Sequence, residues 1–333
     1  MKKKSLVVGC GKLFQLVHLQ NIRKNTKIKI LIDPRKKLLN KILFEKKGLF
    51  RFTNFDGIET LQKKFDIIFN ISSRQSSYYV IKKFLKFSKI IFSEKPGVFN
   101  YSQAKNLKKI SKNYKSKVFF GYMSRFDQNI IRLKKILSKQ KLNNLIKADF
   151  YISNNNFYLK NEKHFNSKEK KDFDFSIENY PNFLNKKFHV NYHIFINRYS
   201  HMINLIHFFL NNLKVKKFEI IDKYNYQTEL SFKNKNIGVK FSNKGNYLIK
   251  IKFDYERYFY QLKMFNPLKN KASILIVKDK KTSISKKYVK YTNLFRDEIK
   301  STINNKKNIS FSTLEDLIKD FSLIDDIWKK TNH

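Results

Sequence analysis

Cysteine is almost absent: the chain holds one, Cys10, in 333 residues. A lone thiol excludes an intramolecular disulfide and a cysteine-based zinc site, and no other metal site is read from the sequence. It fits a soluble protein of a reducing compartment, the cytoplasm. Long apolar runs are missing too. None approaches the roughly 18 uncharged residues that span a bilayer, so no membrane partner is expected. The start, Met1-Lys2-Lys3-Lys4-Ser5-Leu6-Val7-Val8-Gly9, has the charge of a secretion signal, but its apolar stretch is short and runs into a glycine turn. It reads as a first strand. With 4 prolines and 8 glycines there is no Ser/Gly linker, and no internal repeat is found.

Acidic residues are also scarce: 26 Asp and Glu face 71 Lys and Arg, for a net charge of +45. Such a balance is the usual footprint of a nucleic-acid binder. Arginine, the residue that reads bases and phosphates with a bidentate fork, supplies only 9 of those 71 cations. The lysines are spread from Lys2 to Lys330 rather than gathered on one segment. Asn, Ile, Phe and Tyr are abundant while Gly and Ala are scarce, which is what an AT-rich coding sequence produces. The charge is therefore read as composition, and no specific nucleic-acid partner is expected.

A hydrophobic fraction of 41% over 333 residues suffices for two cores. In the first third, strand and helix patterns alternate. Apolar strands are expected at Ser5–Val8, Lys27–Ile32, Phe50–Phe52, Phe65–Ile71, Ile90–Phe92 and Val118–Phe120. Helical spacing is expected at Leu13–Arg23, Leu38–Lys47, Ser76–Phe87 and Ser102–Asn113. That alternation predicts a parallel, doubly wound sheet over residues 1–121. The rest, residues 122–333, reads as an α+β domain. It has helices at Asn129–Leu137 and Tyr192–Leu210, and an irregular excursion over Ser153–Lys187. Strands from Lys147 to about Ile284 form an open, mostly antiparallel sheet, and helices at Asn293–Ile303 and Leu314–Lys329 close the chain.

Four of the 8 glycines, Gly9, Gly11, Gly97 and Gly121, fall at strand ends. Residues kept against a compositional bias mark places where only they fit. Gly9-Cys10-Gly11 follows a strand and opens a helix, the context in which a glycine turn cradles a pyrophosphate. Asp33 closes the second strand, where a carboxylate accepts ribose hydroxyls and repels a 2′-phosphate. A plain strand-turn-helix is the rival reading of that pattern. Glu94-Lys95-Pro96 puts a cation at the carboxyl edge of the sheet, where open α/β folds bind ligands. His201 sits on the Tyr192–Leu210 helix four residues after Asn197 and three before Asn204, so the three share one face; His193 and His207 are read as structural.

Taken together these residues resemble the Gfo/Idh/MocA family of sugar and polyol oxidoreductases. The resemblance runs through Gly9-Cys10-Gly11 with His18, Asp33, Ser72-Ser73, Glu94-Lys95-Pro96, Gly121-Tyr122 with Arg125-Phe126, the Asn197–Leu205 helix with His201, and the closing stretch Phe295–Trp328. It implies a Rossmann domain, a second α/β domain whose open sheet often joins subunits, and a homo-oligomer. It also implies hydride exchange between NAD, or alternatively NADP, and a carbohydrate-like alcohol or ketone. Gly9, Gly11, Lys12, Leu13, Phe14, Asp33, Arg35, Ser72, Ser73, Ser77, Glu94 and Lys95 are then the expected cofactor residues. Tyr122, Arg125 and Asn197 join Lys95 and His201 around the substrate, and Lys95 and His201 carry the catalysis.

His201, with an ordinary pKa near about 6.5, suits acid/base duty at the reacting hydroxyl. Lys95 suits stabilising charge on the substrate oxygen. Both are expected to face one solvent-filled cleft. Asp33 favours NAD, with Arg35 as the counterweight. Three positions depart from the family pattern. Phe14 stands in place of a small residue, Ser77 in place of a His, and Asn197 in place of an Asp. A homologue that binds the cofactor without turnover, or serves as a scaffold, is the second reading, and a basic nucleic-acid-binding protein the third.

Overall fold

The computed structural model describes residues 2–42, 48–56, 58, 65–155, 163–170, 173, 180–269, 271–305 and 309–332. Parts of the expected Leu38–Lys47 helix and of the excursion after Ser153 lie outside them. The chain divides into two units. One comprises Met1–Tyr122, Glu162–Asn179 and Phe295–Ile318; the other comprises Met123–Asn161, Tyr180–Leu294 and Lys319–His333. The first unit is thus not one continuous stretch: two later segments return to it.

The first unit is built on a six-stranded parallel sheet. Its strands are β1 (Lys3–Val8), β2 (Thr26–Ile32), β3 (Phe50–Phe52), β4 (Ile67–Asn70), β5 (Ile90–Ser93) and β6 (Lys117–Phe120), in the order β3-β2-β1-β4-β5-β6. The central strands are short Ile/Val/Phe runs buried along their length, as a sheet covered on both faces requires. Helices α1 (Leu19–Asn25), α2 (Lys36–Lys41), α3 (Arg74–Phe84) and α4 (Tyr101–Ser111) connect them. The order reverses between β1 and β4, the switch point where such sheets open a crevice. Register then lines up the carboxyl ends. Val8 pairs Ile32 and Asn70, Asn70 pairs Ser93, and Ser93 pairs Phe120. Gly9, Asp33, Ile71, Glu94 and Gly121 therefore emerge side by side on one edge.

The second unit holds an eight-stranded sheet. Its strands are β7 (Leu145–Ser153), β8 (Lys214–Ile220), β9 (Tyr226–Phe232), β10 (Lys235–Ser242), β11 (Leu248–Tyr255), β12 (Tyr258–Phe265), β13 (Ser273–Asp279) and β14 (Ser285–Lys290). Their order is β14-β13-β12-β11-β7-β10-β9-β8, antiparallel except for the parallel β7–β10 pair. β14 is a strand the sequence pattern did not reveal. Burial alternates strictly along β11, so one face is covered and the other is not. The cover is α6 (His189–Phe209), whose Phe195 packs on Tyr226 and Phe241 and whose Phe209 packs on Phe253. α5 (Gln128–Leu137) precedes β7, and α7 (Leu294–Asn304) and α8 (Leu314–Lys329) end the chain. No helix among the described residues is long and apolar enough to cross a membrane.

Candidate active site

The loop after β1 carries the densest set of constraints. Gly9 has φ +88°, and a Cβ there would stand 2.4 Å from the Ile71 carbonyl oxygen. Only glycine lets the chain turn this close to the neighbouring strand. The first helical turn, Phe14–His18, is π-helical before it passes into α1. Phe14 does not border an open phosphate cradle as a small residue would; it is fully buried. Gly11 is half-buried, and a Cβ on it would lie 3.3 Å from an Arg35 guanidinium nitrogen. Lys12 and Leu13 are half-buried in the same loop.

Asp33, at the end of β2, is buried and saturated. Its Oδ1 accepts from the Arg35 backbone N–H at 3.1 Å and from Arg35 Nε at 2.8 Å. Its Oδ2 accepts from the Cys10 backbone N–H at 2.7 Å and from Arg35 Nη2 at 2.8 Å. A carboxylate offers about four lone-pair sites, and all are taken. Burial works to lower the Arg35 pKa, but the hydrogen bonds and charge of Asp33 outweigh it and hold the guanidinium above its ordinary value. Burial, and then the charge of Asp33, push the Cys10 thiol well up, so this cysteine is an inert spacer rather than a nucleophile.

At the end of β4, Asn70 ties three elements together. Its Nδ2 donates to Ser77 Oγ at 2.8 Å and Ser93 Oγ at 3.0 Å, and its Oδ1 accepts from Ser72 Oγ at 2.6 Å. Ser77, expected near the cofactor, is buried with its hydroxyl committed to this network. Ser72 and Ser73 are half-buried at the entry to α3. At the end of β5, Glu94 turns inward. Its Oε1 lies 2.6 Å from His18 Nε2, and its Oε2 accepts from the Lys95 backbone N–H at 3.2 Å. Lys95 is half-buried next to it. Desolvation lowers the Lys95 pKa, Glu94 pulls the other way, Arg74 adds to the lowering, and the value comes down to about 8. Gly97, at φ +77°, has no room for a Cβ, which would strike the Phe120 ring at 2.3 Å.

Two residues here were not singled out as a site by their sequence positions. His18 reaches across 76 positions to Glu94 and packs edge-on to Phe92 and Phe295. Glu298 of α7 is fully buried, neither of its oxygens meets a hydrogen-bond partner among the described residues, and it lies within electrostatic reach of Glu94. Burial, and then the charge of Glu94, push its carboxyl well above the ordinary range. A signal for Glu298 exists: it falls in the buried stripe Phe295, Ile299, Thr302, Ile303 of its helix.

Tyr122 is buried in the first unit, and the remaining predicted residues belong to the second. Arg125 is buried with its guanidinium 4.5 Å from the Phe208 ring centroid, so its planar face is spent on packing. His201 is only 3% exposed rather than open to solvent, because α6 is buried on all sides from Tyr199 to Ile206. Asn197, one turn earlier, is exposed. Asn204 instead donates to Asp320 Oδ2 at 2.7 Å, and His207 Nδ1 lies 2.7 Å from Asp320 Oδ1. His207 is thus a satisfied core histidine. Asp320, the acid of this trio, carried no sequence signal.

A glycine turn at the β1–β4 switch point, with an acid closing β2, is the frame of a dinucleotide site. Residues 3–122 match the model of an oxidoreductase family with an NAD-binding Rossmann fold, Gfo/Idh/MocA. That match spans all six strands of the parallel sheet. Solved structures extend the likeness of fold to the whole length. A 3-ketoreductase from Actinomadura kijaniata, crystallised with TDP-benzene and NADP, superposes with a TM-score of 0.71 at 11% identity, over 98% of this chain and 96% of the other. A dehydrogenase from Clostridium difficile gives 0.69 at 19% identity over 98% and 99%. One from Chromobacterium violaceum gives 0.71 at 10% over 98% and 94%. No curated protein sequence matches the chain.

The residues present fit a nicotinamide dinucleotide. Gly9, where a Cβ would strike the Ile71 backbone, makes the tight turn at the switch point that such a site requires. The Gly11–Arg35–Asp33 group stands where the fold places the adenosine ribose.

Proposed function

We propose that the chain is a nicotinamide-dependent oxidoreductase acting on a CH–OH or C=O group of a carbohydrate-like substrate, with NAD preferred over NADP. The observation that carries this reading is Lys95. It stands on the carboxyl edge of the Rossmann sheet with its amine brought down to about 8, in the row that begins with Gly9 and Asp33. Perturbed cations at such edges are candidates for chemistry.

When bound, the dinucleotide supplies or takes the hydride. The protein's part is to bind, orient and move protons. The Lys95 ammonium donates to the substrate oxygen and stabilises the negative charge that grows on it as the hydroxyl loses its proton. His201 is assigned the acid/base step on its residue type. Glu94, bonded to the Lys95 backbone and to His18, keeps the Lys95 loop in place. A sugar-nucleotide substrate is favoured within the carbohydrate class because a neighbour in fold is a 3-ketoreductase crystallised with TDP-benzene.

The test is a titration with NADH and NADPH followed by a turnover screen of inositols, sugars and UDP- and TDP-sugars. Lys95→Ala and His201→Ala are each expected to lower turnover by about two or more orders of magnitude. The wild-type rate should fall as pH rises through about 8, where Lys95 loses its charge, and Lys95→Met should lack that limb. Tight NADH binding with no turnover on any substrate would favour the cofactor-binding homologue, a reading that exposed Asn197, which supplies no base, already suggests.

A further inference from the structure

Residues 163–170 come from the excursion between β7 and α6, yet they belong to the first unit and lie on its dinucleotide loop. Two contacts pin them there. Gln15 Nε2 donates to the Phe165 carbonyl at 2.9 Å and to the Cys10 carbonyl at 3.1 Å, and the Phe165 backbone N–H donates to Gln15 Oε1 at 3.0 Å. Four residues after Phe165, the partner of Gln15, comes the second pin. There the Glu169 carboxylate accepts from the Lys37 backbone N–H at 3.0 and 3.2 Å. Lys37 is two positions beyond Arg35, and Glu169 lies within electrostatic reach of that guanidinium.

Arg35 therefore bonds one carboxylate, Asp33, and lies within the field of a second, Glu169. In the structure it takes Asp33, whose four lone-pair sites are full. A ribose hydroxyl can hydrogen-bond to Asp33 only if a donor leaves, and the Arg35 side chain is the one that rotates. Glu169, whose carboxylate already accepts from the Lys37 and Leu38 backbone, is the second acid in its vicinity. The same carboxylate adds a negative charge beside the place where a 2′-phosphate would sit.

We propose that Glu169 sets the dinucleotide preference: it receives Arg35 when a ribose hydroxyl claims Asp33, and its charge excludes a 2′-phosphate. Glu169 is a specificity-determining residue, supplied to the cofactor domain by a strap that Gln15 holds down. This inference rests on the oxidoreductase reading only in so far as the chain binds a nicotinamide dinucleotide. It concerns binding, not turnover.

The experiment is a pair of fluorescence titrations, NADH and NADPH, on the full chain at fixed salt. Glu169→Gln keeps the hydrogen-bonding shape and removes the charge. It is expected to tighten NADPH roughly tenfold relative to NADH, the scale of one freed guanidinium–phosphate contact. Glu169→Lys should push the ratio further, and Arg35→Ala placed on Glu169→Gln should cancel the gain. Gln15→Ala, which releases the strap without touching a charge, should move the ratio in the same direction by less. An unchanged NADH-to-NADPH ratio in both Glu169 variants overturns the proposal, as does a parallel loss of both affinities, which marks a structural contact only. Failure of the wild-type chain to bind either dinucleotide overturns the functional reading and this inference with it, and is told apart by that first titration.

Discussion

Glu298 is a carboxyl buried without a hydrogen-bond partner among the described residues, and a group so placed stays protonated. The sign of its effect on stability follows. Its folded-state pKa is raised by burial and by Glu94, while in the unfolded chain it titrates in the ordinary carboxylate range. Above that ordinary range the unfolded chain gives up a proton that the folded chain keeps. Stability present at low pH is therefore lost as pH climbs toward the raised value, by about 1.4 kcal/mol per pH unit. Glu298→Gln removes that slope. Urea denaturation of the two proteins should agree near about pH 4 and diverge in favour of the Gln variant up to neutrality. A stability difference independent of pH would show that Glu298 is ionised in the folded protein. Strand ends were legible where the backbone dictates the residue: Gly9, Asp33 and Glu94 emerge in the row that strand register creates, with Lys95 next to Glu94. It did not reach His18–Glu94 or Glu298, because pairing across the sheet depends on which helix covers which strand.

Elements show a similar division. The parallel sheet was legible because buried strands are short runs of Ile, Val and Phe, and β4 and β5 are buried throughout. α6 was legible as a helix, but its burial all round was not, since a one-faced reading placed Asn197, His201 and Asn204 together. Asn204 is instead drawn to Asp320 of α8, and so is His207. These partners lie 116 and 113 positions away, a separation that local spacing cannot encode. β14, mostly exposed and lysine-rich, lacks the apolar alternation that marks a strand. The Asp320 trio gives a prediction at this scale. Asp320→Ala would take this acceptor from the buried Asn204 amide and the His207 ring, at about 1–3 kcal/mol each. Asp320→Asn keeps one acceptor oxygen and should lose clearly less. Chemical denaturation measures both, and a loss under about 1 kcal/mol for the Ala variant would mean that water takes over the contacts.

For the whole molecule the decisive quantity is the net charge of +45. The open sheet face shows that this charge is not arranged to help the fold. Lys250 stands directly opposite Lys263 on the neighbouring strand, with Lys252 close by. Like charges across a strand pair destabilise, and Lys250 is lowered first by desolvation and then by Lys252 and Lys263. Self-repulsion of this kind weakens a compact state and is screened by salt. The same salt competes for any polyanion. Composition and function thus predict opposite trends. If the lysines are compositional, raising NaCl from about 10 to 150 mM should raise Tm while abolishing DNA binding, because only counterion release held the nucleic acid. A selected nucleic-acid surface would keep submicromolar, sequence-dependent affinity at about 150 mM, since base contacts survive screening. Electrophoretic mobility shifts on several unrelated duplexes, run beside thermal melts in the same buffers, separate the two. Retained, sequence-dependent binding at the higher salt would give the charge a function of its own beside the dinucleotide site.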